Sequence, residues 1–119
     1  MRLLVLALIV SVVPASVYAR GFSISDFGSV STERQCVLKG ESMFNRYKLE
    51  YDGGEVNRSK WAVFAYQLSD QNFDAVITCN YGPDEKTRAT LVVHSGEGAE
   101  NDVRVTVANR LRDIWESLP

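Results

Sequence analysis

The stretch "FDAVITCNYG", Phe73 to Gly82, sets aromatic and β-branched residues before a cysteine and then breaks at a glycine, which reads as a strand closed by a turn. Cys79 is one of only two cysteines in the 119 residues. It can be a nucleophile, a metal ligand or half of a disulfide, and the choice decides how the strand is held. A metal site needs more than two thiols and the lone His94, and a catalytic thiol is ordinarily unpaired. Cys36 and Cys79 form an even pair with no third thiol, so in an oxidising compartment a single disulfide is the economical reading.

The N-terminus supplies that compartment. "MRLLVLALIVSVVPASVYA" carries Arg2 as its only charge, an apolar run from Leu3 to Val13, Pro14, and Ala19 at the expected cut, the order of an export signal over residues 1–19. The apolar run is shorter than the roughly 20 residues of a transmembrane helix, so no membrane attachment is expected after cleavage, and the protein is placed in the periplasm or outside the cell. Net charge is −2 for the whole chain and one unit more negative without Arg2. Basic residues are scattered, so nothing here attracts nucleic acid. About 100 remaining residues make one domain, for which an added crosslink is useful.

After the signal, "RGFSISDFGSV" (20–30) carries Phe22, Ile24, Phe27 and Val30 and is expected as an extended segment lying against the domain, with a short edge strand as one form it can take. The domain proper is expected over 31–119. Thr32 and Gln35 fit a capping box, and Cys36, Gly40, Met43, Phe44 and Tyr47 recur at helical spacing, which predicts a helix from about Thr32 to Leu49. "DGGEVNRS" (52–59) reads as an acidic turn that ends it, and Asn57 heads a glycosylation acceptor pattern. Three strands follow, "WAVFAYQLS", "FDAVITCN" and "TRATLVVHS", separated by linkers short enough for hairpins. The closing segment sets "VRVTV", which alternates like a strand, against Val103, Val107, Leu111, Ile114 and Leu118 at helical spacing; length favours a helix. The fold predicted is α+β, a three-stranded antiparallel meander with N- and C-terminal helices packed on one face.

A Cys36–Cys79 disulfide turns Cys79 towards the helices, and parity along the strand brings Phe73, Ala75 and Ile77 to the same core face. A hairpin around Asp70 and Gln71 would set Leu68 opposite Phe73 and place Tyr66, Phe64 and Ala62 on that face, with Ala89, Leu91 and Val93 from the third strand. The opposite face then presents Val63, Ala65, Val76, Thr78, Thr90, Val92 and His94 as a candidate interaction surface. Phe22 to Val30, a protein partner or a second copy of the chain would cover it. Antiparallel sheets also often leave one face wet, and the same letters fit that reading.

Chemistry is sparse. His94 is the sole histidine, and with Glu85, Glu97 and Arg88 nearby it suggests a small secreted hydrolase of phosphodiester type with His94 as acid or base. The spacing is no signature, however, and no GxSxG, HExxH or phosphate-binding glycine loop occurs. No catalytic residue, metal or cofactor is therefore assigned, and a non-enzymatic interaction or binding module is the leading expectation.

The order of a capped helix with an early cysteine ("TERQCVLKGESMF"), an aromatic strand ("WAVFAYQL"), a cysteine-ended strand ("FDAVITC"), a valine-rich strand ("ATLVVHSG") and an Arg-rich closing helix ("ANRLRDIW") resembles small exported bacterial α-β-β-β-α domains with one disulfide. Those domains are described only as having unknown function. The resemblance implies a fold and no site residues.

Overall fold

The computed structural model of the chain describes residues 21–96 and 100–119; the export signal read over 1–19 and Glu97 lie outside the described residues. Elements run β1 (Gly21–Val30), α1 (Glu33–Tyr51), β2 (Val56–Arg58), β3 (Ala62–Gln67), the single turn α2 (Leu68–Gln71), β4 (Phe73–Tyr81), β5 (Thr87–Ser95) and α3 (Asn101–Ser117). The class is α+β, but the sheet has five strands rather than three, ordered β1-β5-β4-β3-β2 and antiparallel at every pairing. The meander β3-β4-β5 forms its centre, and each side gains an edge strand.

Both additions have local causes. Segment 21–30 alternates serines with Phe22 and Ile24, so one side can face the helices while the other stays outside, and it pairs with β5 from Gly21 opposite Ser95 to Val30 opposite Thr87. Arg104 of α3 fastens it there, donating to Ser23 Oγ at 3.0 Å and Ser95 Oγ at 2.7 Å. On the far side, Gly53 and Gly54 do end the α1 region, yet the chain does not simply turn away. Gly54 N–H donates to the Tyr66 carbonyl at 2.8 Å, Tyr66 N–H to the Glu55 carbonyl at 3.0 Å, and Val56–Arg58 continues this pairing along β3.

Thr32 caps α1, its hydroxyl accepting from the Gln35 N–H at 3.1 Å, which satisfies one of the free donors of a helix start. The helix buries Cys36, Val37, Gly40, Met43, Phe44 and Tyr47 and runs two residues past Leu49. In α3 the β-branched "VRVTV" is helical, and Val107, Ala108, Leu111, Ile114 and Trp115 face the core, while Val103 and Val105 are left outside. Both helices cover one side of the sheet, α1 over β3 and β4, α3 over β1 and β5. The disulfide between Cys36 and Cys79 is present, joining α1 to β4 with the Cα atoms 5.9 Å apart. Its face assignment holds on β4 and β5: Phe73, Ala75, Ile77, Cys79, Ala89, Leu91 and Val93 are all buried.

On β3 the expected parity is reversed. Val63 and Ala65 are fully buried against the helices, and Phe64 and Tyr66 point out. Leu68 does pair with Phe73, but Ala65 pairs with Ala75, so Tyr66 and Gln67 together oppose the single residue Asp74. This is a β-bulge. Gln67 takes left-handed backbone angles, φ 55° and ψ 43°, and donates its N–H to Asp74 Oδ1 at 3.0 Å. One inserted residue moves every side chain beyond it to the other face.

Candidate functional site: the open sheet face

The side of the sheet away from the helices is built in rows set by strand register. One row crosses Phe64, Val76, Val92 and Ile24, each the cross-strand partner of the next. The row above it crosses Asp74, His94 and Phe22, with Tyr66 beside Asp74 at the bulge. The row below crosses Ala62, itself buried, then Thr78, Thr90 and Asp26. The middle row is entirely apolar, with Ile24 at one end 73% exposed and Phe64 at the other near 40%; in the row above, Phe22 is 66% exposed and Tyr66 near 40%. Each single exposed hydrophobe would be unremarked, but a contiguous set on one face is the kind that marks an interaction surface.

Polar groups frame this apolar strip. The His94 ring stacks at a tilt against Phe22, centroids 4.8 Å apart, and Asp74 lies on its other side. The Thr78 hydroxyl donates to the Thr90 carbonyl at 3.4 Å. Between Phe22, Phe64, Tyr66, Asp74 and His94 lies a shallow depression of about 140 Å³ floored by Val76 and Val92.

Of the residues expected on this surface, Val76, Thr78, Thr90, Val92 and His94 lie on it, half-buried. Val63 and Ala65 do not; the bulge puts them in the core. Phe64 and Tyr66 replace them, and Phe22 and Ile24 join from β1. The β1 pair was readable from its serine alternation once that segment is a strand; the β3 pair had no sequence signal, because the bulge depends on a glutamine in a conformation that favours glycine.

Of the residues suggested for hydrolysis, Glu97 lies outside the described residues, and His94 and Arg88 are not brought together. Arg88 shares the face with His94, but positions 88 and 94 of one strand are separated by roughly 20 Å at the rise of an extended chain. Arg88 instead pairs with Asp84 at 3.0 Å. Desolvation works against the charged Asp84, yet the Lys86 N–H and the Arg88 guanidinium outweigh it and hold that carboxyl below its usual range. Among the described residues no three of His, Cys, Asp and Glu cluster as metal ligands, and no helix is long and apolar enough to cross a membrane.

A larger hollow, about 590 Å³, opens at the corner of β1, α1 and the C-terminus, bordered by Ser29, Gln35, Lys39 and Leu118. None of its lining residues is buried, and the Lys39 ammonium is engaged over the Trp115 ring, 4.5 Å from its centroid. Met43 and Phe44 are fully buried between the helices and the sheet, and Phe64 is on the sheet's other side. Comparisons of the chain with protein-family models, curated proteins and solved structures find no match, so no relative lends residues to the site.

Proposed function

We propose that the chain is an exported, non-enzymatic interaction module that binds a protein through the open face of its sheet. The observation that carries this is the apolar row Phe64, Val76, Val92 and Ile24 with Phe22 and Tyr66 beside it, exposed on a side of the sheet where alternation with polar residues would be ordinary. The depression there, about 140 Å³, is smaller than the roughly 300–1,000 Å³ of pockets that enclose small ligands, which favours a protein surface over a metabolite. A disulfide is consistent with export, and the absent field of one sign agrees with a partner recognised by shape and apolar contact.

A photo-crosslinking residue at position 64 in producing cells tests this, with the same residue at position 50 on the outer side of α1 as control. A crosslinked species from position 64 that disappears with Val76→Asp supports the reading. Equal crosslinking from both positions, or indifference to Val76→Asp, would sink it.

A further inference from the structure

The open face is its own complement, and we infer that the partner it fits is a second copy of this chain, docked face to face about a two-fold axis parallel to the strands. This rests on the reading of the face given above and adds the identity of what covers it. Four of the strands, β1-β5-β4-β3, are arranged evenly about the line between β5 and β4. A two-fold along that line lays β5 over the partner's β4 and β1 over its β3 while keeping each row at its own height.

Each row then meets itself reversed. In the middle row Val92 covers Val76 of the other copy and Ile24 covers Phe64. In the upper row Phe22 covers Tyr66, and the His94 imidazole, a hydrogen-bond donor, comes opposite the Asp74 carboxylate. In the lower row Thr90 covers Thr78 and Asp26 covers Ala62. No two carboxylates are opposed, and no two cations. A C2 interface imposes the relation of residue i on j and j on i, and on this face that relation sets apolar on apolar along the middle row and a donor on a carboxylate in the upper one.

The area is adequate. Strands of ten, nine, nine and six residues at about 3.4 Å per residue and about 4.8 Å spacing give roughly 550 Å² of projected face per copy. Two copies therefore remove about 1,100 Å², above the roughly 1,000 Å² that a biological interface needs. Stacked sheets about 10 Å apart with their twists offset near 30° are the ordinary way two such faces pack.

The test is sedimentation of the disulfide-intact chain beginning at residue 20, across concentrations up to about 100 μM, well above the dissociation constant of a micromolar dimer. A monomer-to-dimer shift is expected. His94→Glu, which opposes a carboxylate to Asp74 of the other copy, and Val76→Asp are each expected to weaken it by about 100-fold, as charges facing apolar or like-charged groups do. Asp74 also supports the bulge, so rescue is read elsewhere as well: chains carrying Thr90→Lys mixed with chains carrying Thr78→Glu should form a mixed dimer in preference to either parent. That preference, with loss in His94→Glu and Val76→Asp, supports the inference. A chain that stays monomeric throughout overturns it, while crosslinking to a different protein that Val76→Asp abolishes would leave the reading of the face standing. A dimer indifferent to both substitutions overturns the inference too, since it must form elsewhere.

Discussion

At Gly40 the helix layer comes close against the sheet, and replacing it with alanine tests how tightly the disulfide-linked layers are held. A Cβ at position 40 would sit 2.6 Å from Ile77 Cγ2 and 3.4 Å from Val63 Cγ2, against the roughly 3.5–4.0 Å of a comfortable carbon contact. Something must move by about 1 Å. The helix cannot simply lift, because Cys36 lies one turn earlier and is bonded to Cys79 on the strand that carries Ile77. Two effects compete: alanine is better than glycine inside a helix by about 1 kcal/mol, and overpacking a filled core costs about 1–3 kcal/mol. The clash should win, leaving Gly40→Ala less stable by about 1 kcal/mol, some 4–8 °C in melting temperature for a domain of this size. In an Ile77→Ala background the obstructing methyl is gone, so the same change should become stabilising by up to about 1 kcal/mol, the helix-propensity gain standing alone. Urea unfolding of the four proteins with the disulfide intact closes this cycle. If Gly40→Ala costs the same in both backgrounds, the close approach is not what glycine is there for.

Further outcomes follow from other single sites. Replacing Cys36 and Cys79 together by alanine frees a loop spanning 43 residues and should lower unfolding free energy by about 4 kcal/mol on the chain-entropy estimate; a loss under about 1 kcal/mol in urea titration would show that the crosslink does not limit the unfolded chain. Gln67→Gly relieves the left-handed backbone and should stabilise by about 0.5–1 kcal/mol, whereas Gln67→Val should cost about 1–2 kcal/mol; calorimetry that ranks valine above glycine would contradict the bulge. Thr87 is fully buried with its hydroxyl unpartnered among the described residues, so Thr87→Val should raise stability by about 1 kcal/mol, read as a higher urea midpoint. Arg88→Ala should move the Asp84 titration upward in carboxyl NMR. Because the folded value is depressed, whatever this pair contributes is present above the unfolded carboxylate pKa and fades as pH falls through the folded one.

The sequence was informative wherever a physical pattern repeats over many residues. The stripe Cys36, Gly40, Met43, Phe44 and Tyr47 has one meaning at helical spacing, and the parity of β4 and β5 follows from a single crosslink. Boundaries and edges were less legible. Gly53 and Gly54 signal a turn in any context, and nothing in "EVNRS" announces that three residues will pair with β3, because an edge strand is made by the neighbour's free backbone groups more than by its own side chains. Face assignment on β3 failed for a sharper reason: parity is an all-or-none inference, and the one residue that breaks it, Gln67, shows none of the glycine or asparagine character that usually advertises a positive φ.

That inserted residue also bears on why aromatic side chains are exposed at all. Without the bulge, Phe64 and Tyr66 would point at α1, where Gly40 already leaves no room for a methyl group beside Ile77. With it, the small Val63 and Ala65 fit beneath the helix and the large residues are turned out. The packing of the core therefore explains the size of Val63 and Ala65 but places no demand on positions 64 and 66 beyond facing outward. Threonine there would suit the strand and the solvent equally. Phenylalanine and tyrosine at those positions, continued across the sheet by Val76, Val92 and Ile24, answer no requirement inside the monomer, and apolar surface without an internal role lowers free energy only when something else covers it.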